Sequence, residues 1–456
     1  MKLVILLFIT FYCHISVGQN PLFESKKYSE QELKEDFQFW RSKLEKKHPL
    51  IYLYRSKKEV DSTFNTTYNS ITASTSILEF YALLSKISSY LKDGHNGIVP
   101  TQPILDYVTF HPYLIPIEVA LDDNDRLLVS KNFSKNKDLH TGNELISING
   151  ISSHTIVNKI SSFVSREGNS PLHKSIVQNY FRFYYHIIFG MNEVYKIEYS
   201  NKGKVFNTEV RGVSIDKIRT RSGYNKNDKD KNPIRLTIID TLKTAILTIN
   251  TFDKNVLKKE NNISFNRTIR EYFKTIKTNE IERLVIDVSG NSGGNPEYAV
   301  SLLKHLLNEK FIMISECRIV SNPEEEVFEK RTKPKWYPYY GLGTKNPHKS
   351  NFNGELFILI GEETFSTAVM FASTLKRYKR ATLIGKETGG NPVIMSGYFI
   401  RTSWELPNTK LKVMPGTLCT LRGNLSSNTG RGIIPDIETM NEINPLNFVL
   451  KLIDKK

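Results

Sequence analysis

At 456 residues the chain is long enough to bury more than one hydrophobic core, so two or three domains are expected. Its formal charge is +16, yet the basic residues are dispersed, Phe and Tyr are plentiful, and no RNA-binding or helix-turn-helix signature occurs, which excludes nucleic acid as the expected partner. With 3 cysteines and neither C-x-x-C nor H-E-x-x-H, the sequence indicates no disulfide framework, no metal and no cofactor.

In chain order, residues 1–18 read as a secretory signal peptide. Lys2 precedes an apolar run over 3–12, and Ser16 and Gly18 stand at the −3 and −1 positions of a cut before Gln19. Tyr12 before Cys13 breaks a lipoprotein box. An exported protein, periplasmic or extracellular, is expected. No later apolar run is long enough for a membrane span. Cys317 and Cys419 then remain as a pair that an oxidising compartment could join.

Residues 19–104 read as an N-terminal helical domain. Ser29 and Glu32 form a capping box ahead of the stripe Phe37, Trp40 and Leu44; a second helix follows over 56–71 and a third over 77–91. Residues 105–215 turn to short strands at 114–120, 127–131, 144–148 and 194–199. Within them, 142–150 followed by a helical pattern at 155–164 resembles the strand-turn-helix of a PDZ domain, and fits an ordinary Asn-Gly hairpin equally well. A polar, lysine-rich stretch at 216–233 reads as a linker. From 234 to 456, strands and helices alternate as in an α/β core: strands at 236–239 and 244–249, a helix at 265–276, then two strand-turn-helix units. Between those units, 321–351 is an excursion rich in Pro, Tyr, Lys and Gly, compatible with a cover over a cleft or with a solvated insertion.

The first unit is L-V-I-D-V-S-G-N-S-G-G-N-P from Leu284 to Pro296. A buried strand empties into a glycine-rich turn at a helix N-terminus, where free backbone N–H groups can hold a phosphate or a developing oxyanion. Neither nucleotide-binding glycine spacing is met, and taken alone the turn also reads as a tight connection. In the second unit, the strand 356–360 leads through G-E-E-T-F to Ser366, at the start of a helix over 367–378. Ser366 reads either as an N-cap or as a nucleophile whose oxyanion meets the Thr367 N–H; a capping box would want Glu or Gln at Val369. Among 10 histidines, His95 stands out in L-K-D-G-H-N-G, on a glycine-flanked loop after the third helix, as a base for that serine or as a solvated loop residue.

The ordered segments Asp93-Gly-His95, Asp287 to Gly294, Phe365-Ser366-Thr-Ala, Ile384 to Gly390 and Gly430 to Asp436 together resemble the tail-specific, or C-terminal processing, serine peptidase superfamily, in its tricorn-core-like and retinoid-binding-protein-like branch. The resemblance implies a crotonase/ClpP-like peptidase core, with the PDZ-like β-rich module and the helical domain beside it, and peptide-bond hydrolysis through an acyl-enzyme. It implies Ser366 as nucleophile, His95 as general base, and the N–H groups of Gly293 and Thr367 as the oxyanion hole. The expected partner is a peptide or protein substrate; the oligomeric state stays open. Three positions depart from the pattern. Asn391 stands where a Ser/Lys dyad would place lysine, Ser289 where arginine is usual, and Val369 where glutamate is common in this branch. The resemblance also puts the histidine's acid near Gly430–Asp436, but no Asp or Glu lies between Gly423 and Gly432, leaving Asp93, Glu405 and Asp436 as candidates. Two further readings stay open: a catalytically inactive relative binding peptides or small apolar ligands, and an esterase using the same acyl-transfer machinery.

Overall fold

The computed structural model describes residues 27–223, 232–322, 327–331, 341–398, 403–422, 427–440 and 444–455. The signal-peptide reading of 1–18, residues 224–231 of the linker and the stretch 336–340 lie outside the described residues.

The three N-terminal helices are Glu30–Lys47, Lys57–Ser70 and Ile77–Tyr90. Each starts at a serine, Ser29, Ser56 or Ser76, whose hydroxyl takes the third helical N–H while a glutamate at that position returns the bond. Such a reciprocal cap satisfies two donors that a helix start leaves open. Phe37, Trp40 and Phe64 pack edge to face at centroid separations of 5.8–6.1 Å. This layer is completed from the other end of the chain. Leu406, Leu411 and Val413 enter the same apolar cluster, and strand Lys412–Met414 pairs antiparallel with Gly97–Val99. Buried Asp36 fastens the arrangement by accepting from the Asn408 and Thr409 amides and the Thr409 hydroxyl.

The β-rich module is a sheet in the order Ile117–Leu121, Leu127–Asn132, Glu144–Ile148, Val194–Asn201, Lys204–Arg211, antiparallel throughout. Ile148 pairs with Ile151 around Asn149-Gly150, both at positive φ, so the Asn-Gly segment does form a two-residue hairpin. Helices Ser153–Ser161 and Leu172–Phe189 pack on this sheet and on each other.

The third unit is a six-stranded sheet in the order Ile437–Glu438, Thr382–Gly385, Glu355–Ile360, Arg283–Asp287, Thr244–Ile249, Ile234–Ile239. All neighbours are parallel except the last pair. Its central strands are apolar on both faces, as a covered parallel sheet requires. Ala245, Leu247, Leu284, Ile286, Leu356 and Ile358 share a core with helices Phe265–Thr278, Pro296–Leu303 and Thr367–Arg377; Ile246, Val285, Phe357 and Leu359 meet Val449 and Ile453 of Pro445–Asp454 on the opposite side. Burying each large side chain is worth roughly 1.5–3 kcal/mol. Because Arg283–Asp287 and Glu355–Ile360 are adjacent and parallel, their carboxyl ends release the glycine turn and the serine turn side by side, where open α/β sheets hold ligands.

Cys317 lies opposite Thr420 and Arg318 opposite Cys419 in one antiparallel pair, so the two sulfurs face opposite sides of that sheet. Cys317 enters the main core and Cys419 a separate cluster with Ile394 and Leu421, and both are free thiols. The disulfide that the sequence left open is ruled out by this register.

Candidate active site

Ser366 adopts φ 51 and ψ −122 immediately before its helix and makes no side-chain cap hydrogen bond. A non-glycine residue held there costs on the order of 1–3 kcal/mol, a strain that persists only where the surroundings impose it. Here they do. Phe365 N–H donates to Asn291 O at 3.1 Å, Thr364 Oγ1 to Val288 O at 2.9 Å, and Thr367 Oγ1 to Gly294 O at 2.7 Å, clasping the serine turn to the glycine turn. A sharp strand-to-helix turn of this kind presents the hydroxyl and frees the next amide. The Thr367 N–H has no hydrogen-bond partner among the described residues.

Gly293 sits against this turn with φ 104. A Cβ there would fall 2.7 Å from Ser366 Cβ and 2.9 Å from the Thr367 nitrogen, so only glycine fits. Its own N–H donates to Asn291 Oδ1 at 2.8 Å, and it must be shared or released to serve an oxyanion. The following amide, of Gly294, has no partner among the described residues and lies on the same turn.

His95 Nε2 is 3.1 Å from Ser366 Oγ. The ring is buried beneath Phe365, centroid to centroid 4.7 Å, with Tyr398 edge-on at 5.4 Å and its hydroxyl donating to His95 O. Burial, which penalises the imidazolium, brings the His95 pKa down from 6.5 to about 4; Asp93 opposes that shift and Arg422 and His48 add to it. The imidazole is therefore a free base at neutral pH. His95 Nδ1 is buried and has no hydrogen-bond partner among the described residues.

Two carboxyl groups flank this histidine. Asp93 Oδ1 accepts from the His95 N–H at 2.7 Å and from the Ser396 hydroxyl at 2.6 Å. Its Oδ2 lies 3.1 Å from His48 Nε2, which carries the ring proton because the Leu50 N–H donates to His48 Nδ1. Burial alone would raise the Asp93 carboxyl, but His48, His95 and Ser396 outweigh it and hold Asp93 ionised, at about 2. Glu167, fully buried, accepts from Tyr54 Oη at 3.2 Å and from the Gly94 N–H at 3.3 Å. Burial first and the Asp93 charge second push its pKa well above the ordinary carboxyl value. Asp93, His95 and Glu167 are the one group among the described residues whose donor atoms gather as metal ligands do, all within 4.8 Å, and the same grouping is what the base of a serine nucleophile needs.

The remaining residues singled out by sequence have other tasks. Asn391 binds Asn428, Tyr54 and the Val393 and Ile394 amides. Ser289 closes its own turn onto Asp287, and Val369 is core, packed where a Cβ on Gly390 would meet it. Asp436 accepts from Leu383 N–H and Lys376 Nζ, and Glu405 is an exposed residue 3.9 Å from Lys410 Nζ; neither belongs to the His95 group. Sequence reasoning missed Glu167, His48, Tyr54, Ser396 and Tyr398, whose only signal was polarity in unrelated segments. A cavity of about 110 Å³ lies against the His95 loop, lined by Gly94, Val99, Ile176, Tyr180 and Phe183 among others.

Residues 243–439 match the family model of peptidase family S41. In fold, the chain is similar to mature CPAF, with a TM-score of 0.66 at 16% identity over 93% of this chain and 96% of that one. It is also similar to a candidate peptidase from Parabacteroides merdae, with a TM-score of 0.50 at 13% identity over 93% and 97% of the two chains. None of the curated protein sequences matches it.

Proposed function

From the match of residues 243–439 to the model of peptidase family S41, we propose that the chain is a serine peptidase that hydrolyses peptide bonds through an acyl-enzyme on Ser366. The observation that carries this reading is the strained Ser366 turn with His95 Nε2 3.1 Å from the hydroxyl and the Thr367 N–H unpartnered beside it. The Ser366 proton passes to His95 Nε2 as Oγ bonds the substrate carbonyl carbon. The oxyanion is met by the Thr367 N–H and one of the Gly293 and Gly294 N–H groups. His95 then gives its proton to the leaving amine, and water repeats the sequence to release the acid.

The leader-like pattern of 1–18 supports action outside the cytoplasm, in a periplasm or the extracellular space. The β-rich module, read as PDZ-like, would take one end of the substrate by strand addition. A second reading, a non-catalytic binder of an apolar ligand, is favoured by the cavity beside the His95 loop. Incubating the chain from Gln19 onward with a mixed peptide library separates the two. New peptide termini, absent with Ser366→Ala, are expected. An unchanged library together with tight retention of apolar ligands would establish the binder.

A further inference from the structure

The acid that the resemblance puts near Gly430–Asp436 is missing from the sequence between Gly423 and Gly432, but another segment lies against that place. The loop 165–169 rests on Gly430: Asn169 N–H donates to Gly430 O at 2.6 Å, and a Cβ on Gly168 would fall 2.2 Å from that oxygen. The same loop is tied to the histidine loop, since Gly168 N–H donates to Lys92 O at 2.8 Å. Glu167 lies between these two anchors with its carboxyl turned to Gly94, the residue before His95.

Resting on the peptidase reading, we propose that Glu167 is the positioning acid of the site, replacing from the loop 165–169 the acid absent between Gly423 and Gly432, and that it receives the His95 Nδ1–H when substrate is bound. His95 Nδ1 is buried without a hydrogen-bond partner among the described residues, and Glu167 and Asp93 are the carboxyl residues grouped with His95. Asp93 is already committed, with its own turn amide and Ser396 on one oxygen and His48 against the other. Each Glu167 oxygen accepts one hydrogen bond among the described residues, one of them at 3.3 Å, so lone pairs remain for the ring N–H. Catalytic hydrogen bonds are commonly loose before substrate arrives and tighten in the complex. The proton on Nδ1 fixes the tautomer that leaves Nε2 free to accept from Ser366. No proton leaves the ring for Glu167 in this role; the carboxyl orients the imidazole and stabilises its charged form.

The groups facing Glu167 are Asp93 and His95 on the histidine loop, Tyr54 after the first helix, and Arg422 beyond the strand Leu418–Leu421. Because its folded pKa is raised, Glu167 costs stability as pH rises above the ordinary carboxyl range. Glu167→Gln removes that cost while keeping the shape. At pH 8 this variant is expected to melt no lower than the parent, and to lose about 10²–10⁴-fold in kcat with KM little changed, the scale seen when an orienting carboxylate becomes an amide. The parent's kcat should rise in a second step as Glu167 ionises, above the His95 limb, and the variant should lack that step. Glu167→Asp, which keeps the charge on a shorter arm, should recover part of the rate and serves if the amide variant fails to fold. Superposable pH profiles, or a rate loss no larger than the loss of folded protein, overturn the assignment. A parent with no turnover at all sinks the peptidase reading alone. The low-field His95 ring-proton resonance, expected in the parent with a peptide bound and missing from Glu167→Gln with the same peptide, still decides the Glu167 contact, and its equal presence in both overturns it.

Discussion

Ser366 Oγ and His95 Nε2 are 3.1 Å apart, yet the chain reaches them by opposite routes. The serine side comes from two neighbouring parallel strands whose turns touch within about 80 residues of sequence: Thr364 to Val288, Phe365 to Asn291, Thr367 to Gly294. The histidine side is assembled from His48 and Tyr54, Asp93 to His95, Glu167, and Ser396 to Tyr398, segments joined only by the folded molecule. A nucleophile on a local turn can be changed with local consequences. A base held by distant segments has its chemistry and the packing of the whole molecule bound together.

The sharpest way to break this contrast is at the serine. Ser366→Ala should remove about 10⁶-fold of turnover and leave the melting temperature nearly unmoved, because the hydroxyl caps nothing. Parallel turnover and melting measurements check both halves of the statement. Next in size is Gly293→Val, whose branched side chain would press on Ser366 Cβ, Phe365 O and the Thr367 nitrogen. A loss of about 10²–10³-fold in kcat is expected from damage to the oxyanion turn, with a lower melting temperature as well. A variant of unchanged kcat would remove this turn from the mechanism.

At Asp93, which ties the histidine loop to two other segments, activity and stability should fall together. Asp93→Asn turns an NH₂ toward a proton on His48 or forfeits the bonds to His95 N–H and Ser396, a cost of about 1–3 kcal/mol for a buried unsatisfied group. Denaturant unfolding reads it, and stability equal to the parent's would contradict the coupling. A smaller effect is expected in the pH profile. The ascending limb of kcat/KM should lie near 4 instead of the ordinary histidine value of 6.5, because burial lowers the His95 pKa. His173, His186 and His305 are lowered likewise, chiefly by burial. The folded state then binds fewer protons than the unfolded one between those values, so stability should decline as pH falls from about 6.5 toward 4. Smallest of all, Asn391→Lys should give no gain in rate, since Asn391 serves Asn428, Tyr54 and the Val393 turn.

The same contrast explains what was legible in the sequence. Leu284 to Asp287 and Leu356 to Ile360 announce buried parallel strands through their apolar runs, and the glycines and Ser366 after them announce turns, because all of that information is local. The capping box at Ser29 was legible for the same reason. Glu167 was not. Nothing near it in sequence distinguishes a buried acid from a surface one, and its role depends on the contact of Gly168 with Gly430, more than 260 residues away. The pairing of 97–99 with 412–414 was hidden likewise, since strand partners across 300 residues leave no periodic trace. His95 was visible as a loop residue, but its burial under Phe365, which brings its pKa down to about 4, was not.

The central claim is that Ser366 is an activated nucleophile with His95 as its base. Treatment of the folded chain with a fluorophosphonate at neutral pH, followed by intact-mass measurement and peptide mapping, tests it most directly. One adduct on Ser366 in the parent, and a strongly slowed adduct in His95→Ala, is the predicted result. A folded parent that stays unlabelled, or a His95→Ala variant labelled as fast as the parent, would contradict it.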